Sequence, residues 1–124
     1  MTNKILVVDD EPDFCEALSE FLADKGFAVM EANSFEEALE AYSQERPDVV
    51  LLDVLMPGKD GRETLRELKA FDPEASVIMI TAVHEEDLAL EAMADGAFDY
   101  ITKPFNPDYL EMALMTKIGL LEGN

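Results

Sequence analysis

Residues 5–11 read Ile5-Leu6-Val7-Val8-Asp9-Asp10-Glu11, four apolar residues in a row and then three carboxylates. A strand that is apolar at every position is buried on both faces, as happens in a parallel sheet with helices above and below it. The pattern returns at Val49-Val50-Leu51-Leu52, followed by Asp53, and at Val77-Ile78-Met79-Ile80, followed by Thr81. A looser version, Phe98-Asp99-Tyr100-Ile101, precedes Lys103-Pro104, and Phe27-Ala28-Val29-Met30 is a weaker fifth. These runs are rich in β-branched or aromatic residues, which suit a pleated, packed surface.

The segments between the runs have helical spacing. Residues 12–25 place Phe14, Ala17, Leu18, Phe21 and Leu22 on one face, and Gly26 follows as the residue that ends a helix. Residues 35–44 carry Phe35, Ala38, Leu39 and Tyr42, with Ser34 and Glu37 at the spacing of a capping box. Residues 61–71 carry Leu65, Leu68 and Phe71 and stop at Asp72-Pro73. Residues 85–95 carry Leu88, Ala92 and Met93 and close at Gly96. The last helix is predicted to start with Asn106 as cap and Pro107 as first residue, with Phe105 and Leu110 spaced for a hydrophobic staple.

Five β-α units in alternation predict an α/β fold with a parallel sheet and right-handed crossovers. A closed eight-fold barrel needs about 250 residues, so 124 residues suit an open, doubly wound sheet in one domain, 1–124.

Composition narrows the function. The formal charge is −19, from 9 Lys and Arg against 28 Asp and Glu. Such a chain is repelled by nucleic-acid phosphates and by anionic membranes. No apolar run approaches the roughly 20 residues of a membrane span. One cysteine, Cys15, permits no internal disulfide and reads as a small core residue. The expected location is cytoplasmic.

Ligands of open α/β sheets sit at the carboxyl ends of the strands. There this chain offers Asp9 and Asp10, Asp53, Thr81 and Lys103. Alone, any of these is a solvated loop residue. Together they are hard oxygen donors that suit Mg²⁺ or Mn²⁺, with an ammonium and a hydroxyl beside them. That set can stabilise a phosphoryl group, and a carboxylate among them can form an acyl phosphate.

The motifs Asp9-Asp10, Asp53-Val54-Leu55-Met56-Pro57-Gly58-Lys59-Asp60-Gly61, Thr81-Ala82 and Lys103-Pro104-Phe105, in this order and spacing, resemble the receiver domain of two-component response regulators along essentially the whole chain. The resemblance implies a flavodoxin-like (βα)5 fold with strand order 2-1-3-4-5. It implies that Asp53 is the phosphoacceptor and that Asp9, Asp10, Asp53 and the Leu55 backbone carbonyl hold Mg²⁺, for which Mn²⁺ could substitute. Lys103 would contact the phosphoryl group, Thr81 would hydrogen-bond it after transfer, Tyr100 would be the aromatic switch, and the Lys103–Pro104 bond would be cis. The donor would be a sensor histidine kinase or a histidine phosphotransfer protein. The output would be a domain or partner reached through the fourth helix, fifth strand and fifth helix. The stretch 96–105 resembles receivers of the nitrogen-regulation type.

Other classes fit less well. A flavin carrier needs a hydroxyl- and glycine-rich phosphate loop after the first strand, where this chain has Asp9-Asp10-Glu11-Pro12-Asp13. An aspartyl phosphatase needs a second acid two residues after its nucleophile, where Leu55 stands. Leu55 and Val83 are both apolar and lack a group to orient water, which predicts a long-lived phosphoaspartate. His84 reads as an exposed start to the fourth helix. The basic residues Lys59, Arg62, Arg66 and Lys69 oppose an acidic 85–111 segment, read either as solvated helix faces or as a steering field for a partner. On the last helix, Leu110, Leu114, Ile118 and Leu121 form a core stripe. Met112, Met115 and Leu120 fall outside it, which points either to a homodimer or partner surface or to loose core packing.

Overall fold

A computed structural model describes residues 3–54, 61–82 and 86–121. The elements alternate as β1 (Lys4–Val8), α1 (Pro12–Asp24), β2 (Ala28–Ala32), α2 (Phe35–Glu45), β3 (Val49–Leu52), α3 (Gly61–Phe71), β4 (Val77–Thr81), α4 (Glu86–Ala94), β5 (Asp99–Thr102) and α5 (Pro107–Leu121). The strands form one parallel sheet in the order β2-β1-β3-β4-β5, the flavodoxin-like arrangement.

The apolar runs divide by parity, as strand geometry requires. Leu6, Val8, Val50, Leu52, Val77 and Met79 face α2, α3 and α4 in one core. Ile5, Val7, Val49, Leu51, Ile78 and Ile80 face α1 and α5 in the other. The three inner strands β1, β3 and β4 therefore carry apolar runs, and their site-bearing ends are held from both sides.

The helix ends follow their capping chemistry. The Ser34 Oγ accepts from the Glu37 N–H at 3.2 Å. The Glu37 carboxylate accepts from the Ser34 hydroxyl and from the Asn33 N–H, one residue earlier than a standard capping box. The Asn106 Oδ1 accepts from the Asp108 N–H at 2.8 Å, and Phe105 packs on the core that contains Leu110. Gly26 has φ +96° and Gly96 has φ +105°, a backbone that glycine adopts without strain.

Two residues depart from the helical reading. Met93 and Phe71 occupy core-spaced positions, yet they are 44% and 51% exposed. α4 buries only Ala92 among its residues, so Met93 has no layer to enter. Phe71 sits at the last position of α3, where its ring meets the Tyr42 ring edge-on and the Arg46 guanidinium lies over it at 4.9 Å. Part of the charge asymmetry is paired within the fold. Arg62 pairs with Glu91 at 2.7 Å and with Asp95 at 3.3 Å, and Arg66 pairs with Asp95 at 3.1 Å. Two of the four basic residues thus tie α3 to α4 and its C-terminal end, on faces that stay partly in solvent. Lys69 instead donates to the Ala75 carbonyl. Lys59 and His84 lie outside the described residues.

Candidate phosphoryl and metal site

The site is assembled by strand register. Leu52 of β3 lies opposite Met79 of β4, and Thr81 of β4 lies opposite Thr102 of β5. Asp53, Thr81 and Lys103 are therefore placed side by side at the carboxyl edge. The neighbouring β1 ends one residue before Asp9. The Asp53 N–H donates to the Val8 carbonyl at 3.0 Å, and the Lys103 N–H donates to the Thr81 carbonyl at 2.7 Å. These bonds extend the ladder just far enough to fix the backbone of both side chains.

Asp9, Asp10 and Asp53 bring carboxylate oxygens within 4.8 Å of one another. Asp9 and Asp53 are only 1% and 5% exposed, while Asp10 is open to solvent. Lys103 binds the cluster together: its ammonium donates to Asp9 Oδ2 at 2.7 Å, to Asp53 Oδ2 at 3.2 Å and to Glu11 Oε1 at 3.4 Å. Asp9 is fixed by further bonds. Its Oδ1 accepts from the Glu11 N–H, and its backbone carbonyl accepts from the Asn33 side chain at 3.0 Å and the Cys15 thiol at 3.3 Å.

The electrostatics follow from this crowding. Burial raises the Asp9 pKa above the ordinary carboxylate value and the Asp53 charge adds to the rise, although the hydrogen bonds from Lys103 and the Glu11 N–H oppose it. Burial works against the Lys103 ammonium too, but its hydrogen bond to Asp9 and the charge of Asp53 prevail, and its pKa is raised. Cys15 is pushed up to about 11 by burial and by neighbouring carboxylates, so it stays a thiol. It is the core residue expected.

The donor set fits a small hard cation. Three carboxylates within 4.8 Å face one ammonium and one further carboxylate, and the surplus of negative charge at a partly buried point favours a divalent ion with oxygen ligands. Leu55, whose backbone carbonyl is the other expected ligand, lies outside the described residues, as does Val83.

Thr81 is fully buried at the end of β4. Tyr100 is half-buried on the face of α2, α3 and α4, in register with Met79. The Lys103–Pro104 bond is cis. Beside the site an open cleft of about 510 Å³ is lined by Phe14, Ala82, Lys103, Pro104 and Phe105.

Four residues contribute to the site although the sequence assigned them no role there. The Phe14 ring centroid lies 3.9 Å from Lys103 Nζ, and the Phe105 ring meets Phe14 edge-on at 6.2 Å. Asn33 reaches Asp9 from the next loop. Gly61 opens α3 directly against the Asp53–Val54 backbone, where its N–H donates to the Val54 carbonyl. Gly61 and Phe105 carried a signal, as the residues that close the Asp53 and Lys103-Pro104 motifs.

Comparison with known proteins agrees with this geometry. The response regulator receiver domain family matches residues 5–115. The regulatory protein AtoC of Escherichia coli is 40% identical over 118 residues, which cover 95% of this chain and 26% of that protein. The chemotaxis protein CheY of Bacillus subtilis is 37% identical over 109 residues, covering 87% of this chain and 91% of CheY. The chain thus spans about a quarter of AtoC and nearly all of CheY. A response regulator receiver domain protein from Clostridium thermocellum superposes with a TM-score of 0.92 at 34% identity, over 97% of each chain. With its five-stranded order, its carboxyl-edge aspartates and its bridging lysine, the chain belongs to the response regulator receiver domain family.

Proposed function

We propose that this receiver is a switch set by phosphorylation of Asp53. The observation that carries the reading is Lys103, whose ammonium lies within hydrogen-bond reach of both Asp9 and Asp53 inside a cluster of carboxylates. A sensor histidine kinase or histidine phosphotransfer protein is the donor. An Asp53 oxygen attacks phosphorus in line with the departing imidazole nitrogen, so the N–P bond breaks as the acyl phosphate forms. Lys103 meets the growing negative charge on the transferring group. Asp9, Asp10, Asp53 and the Leu55 carbonyl would hold Mg²⁺, or Mn²⁺ in its place. The ion supplies charge neutralisation and orientation of the phosphoryl oxygens.

The product adds charge and acceptor oxygens at Asp53. The Thr81 hydroxyl binds them, Tyr100 turns into the space released, and the surface of α4, β5 and α5 changes. Phosphorylation here stabilises a conformation the chain already samples. A shift from 1:99 to 99:1 requires roughly 5.5 kcal/mol of differential stabilisation. The domain is regulatory and promotes only its own phosphotransfer and dephosphorylation. In α5, Met112 and Met115 are 56% and 55% exposed, which favours a partner or homodimer surface over loose core packing. A cytoplasmic location accords with the described helices, none of which is long and apolar enough to cross a membrane.

Intact mass after incubation with acetyl phosphate and Mg²⁺ tests the reading. One added phosphoryl group is expected, lost with EDTA and in Asp53→Asn. Retention in Asp53→Asn would overturn the acceptor assignment.

A further inference from the structure

We infer that Phe14 is a positioning residue for Lys103, an inference that rests on the reading of Lys103 as the cation that meets the transferring group. The sequence places Phe14 on the core face of α1. The structure leaves it half-buried at the edge of that core, in the first turn of the helix, with its ring against the Lys103 ammonium at 3.9 Å from centroid to Nζ. Phe105 stands edge-on to it, centroids 6.2 Å apart at 84°, so the ring is packed against another aromatic. The Lys103 side chain is 14% exposed, which makes the attraction between a cation and the negative face of a ring stronger than it is in open solvent.

The ring answers a particular problem of this site. Lysine carries its charge on a flexible four-carbon stem, and the anionic oxygens that hold Nζ change position and partners in the reaction. Asp53 becomes an acyl phosphate whose charge lies farther out, on the phosphoryl oxygens, and Asp9 is shared with any cation that enters the cluster. The face of Phe14 is a partner whose attraction none of these events alters. It keeps the ammonium at the mouth of the cleft that Phe14, Ala82, Lys103, Pro104 and Phe105 line, before and after Asp53 changes.

The test pairs a structural readout with a rate. The Lys103 ε-methylene protons, bonded next to an Nζ that lies over the ring, should resonate upfield of those of the other lysines. In Phe14→Leu that displacement is lost and the rate of phosphorylation by acetyl phosphate falls about three- to tenfold, while thermal stability and Mg²⁺ affinity stay close to wild type. Phe14→Tyr keeps both the upfield shift and the rate. Phe14→Met serves if the leucine variant does not fold. A wild-type rate in folded Phe14→Leu or Phe14→Met, or ordinary ε-methylene shifts in the unmutated chain, overturns the inference. A wild type that takes no phosphoryl group overturns the functional reading instead. In that case the ε-methylene shift and its loss on substitution still decide whether the ring holds the ammonium.

Discussion

The two edges of the sheet are built from the same kinds of side chain and differ in how well the charges are matched. At the carboxyl edge Lys103 sits among Asp9, Asp53 and Glu11, with the Phe14 ring against it. At the amino edge Arg46 pairs with Asp72 at 3.2 Å, with the Phe71 and Tyr42 rings beside its guanidinium. At the carboxyl edge burial raises the Asp9 pKa, against the pull of Lys103. Asp72 goes the other way: the Tyr42 phenol, the Glu74 N–H and Arg46 hold its carboxyl below the ordinary range. One edge has more negative charge than its own residues settle, and the other has a carboxylate with every partner it needs. The first is open to a ligand, and the second staples α2 to the loop before β4.

The largest effect should come from breaking the match at the carboxyl edge altogether. Lys103→Ala leaves Asp9 and Asp53 facing each other with no ammonium between them. The rate of phosphoryl uptake is expected to fall by about 100-fold or more, the scale of losing one preorganised donor to a developing charge, measured by intact mass against time. A variant within threefold of wild type would show that Lys103 is only a structural clamp.

Supplying the missing positive charge comes next. If the proposed site holds, Mg²⁺ at about 100 times its Kd should stabilise the fold by roughly 2.7 kcal/mol at pH 7, since a ligand of the folded cluster alone shifts the folding equilibrium. The pH dependence follows from Asp9. Its native pKa lies above 3.8, so its ionisation opposes folding. That opposition is absent below pH 3.8 and complete above the raised native value. The gain from Mg²⁺ should therefore shrink as pH falls from 7 toward 4, where protons settle the same charge. Thermal melts with and without Mg²⁺ across that range decide it. A gain independent of pH would locate the ion elsewhere.

Gly61→Ala probes the backbone beneath the site. A Cβ at Gly61 would stand 2.6 Å from the Val54 Cα and collide with the Asp53 carbonyl oxygen. Backbone must move to admit it, at a cost of about 1–3 kcal/mol, and the displaced backbone is that of Asp53, the proposed phosphoacceptor. Denaturant melts should show the loss, and phosphoryl uptake should slow along with it. Uptake at the wild-type rate would mean that the backbone relaxes away from Asp53.

Much of this was legible in the chain because parallel strands leave a local record. Ile5–Val8, Val49–Leu52 and Val77–Ile80 are apolar at every position since both their faces are covered. The residue just past each strand's end is then placed at the carboxyl edge by register alone. What was not legible is contact between elements far apart in sequence with no period linking them. Nothing near Phe14 announces Lys103, 89 positions later, and nothing near Arg62 and Arg66 announces Glu91 and Asp95. Met93 kept helical spacing on a helix that buries little, so periodicity predicted a burial that the layer could not supply.

The smallest effect tests the matched edge. Tyr42 is buried, and its phenol donates to Asp72 Oδ2 at 2.8 Å; burial and this carboxylate hold the phenol pKa well above its ordinary value. Tyr42→Phe keeps the ring, its edge-on contact with Phe71 and its place beside Arg46, and removes only the hydroxyl. Asp72 is then left with the Glu74 N–H and Arg46, so Tm should fall by roughly 3–5 °C at pH 7. The sign of the pH dependence is opposite to that at Asp9. A carboxyl whose native pKa lies below 3.8 stabilises the fold when ionised, and that stabilisation is lost as pH falls through the lowered value. The difference in Tm between wild type and Tyr42→Phe should therefore hold steady from pH 7 to about pH 4 and narrow below it. Phosphoryl uptake and the response to Mg²⁺ should be unchanged throughout, because a satisfied cluster at the amino edge shares no residue with the site. If Tyr42→Phe alters uptake without altering Tm, the two edges are coupled through α2 and the contrast between them is wrong.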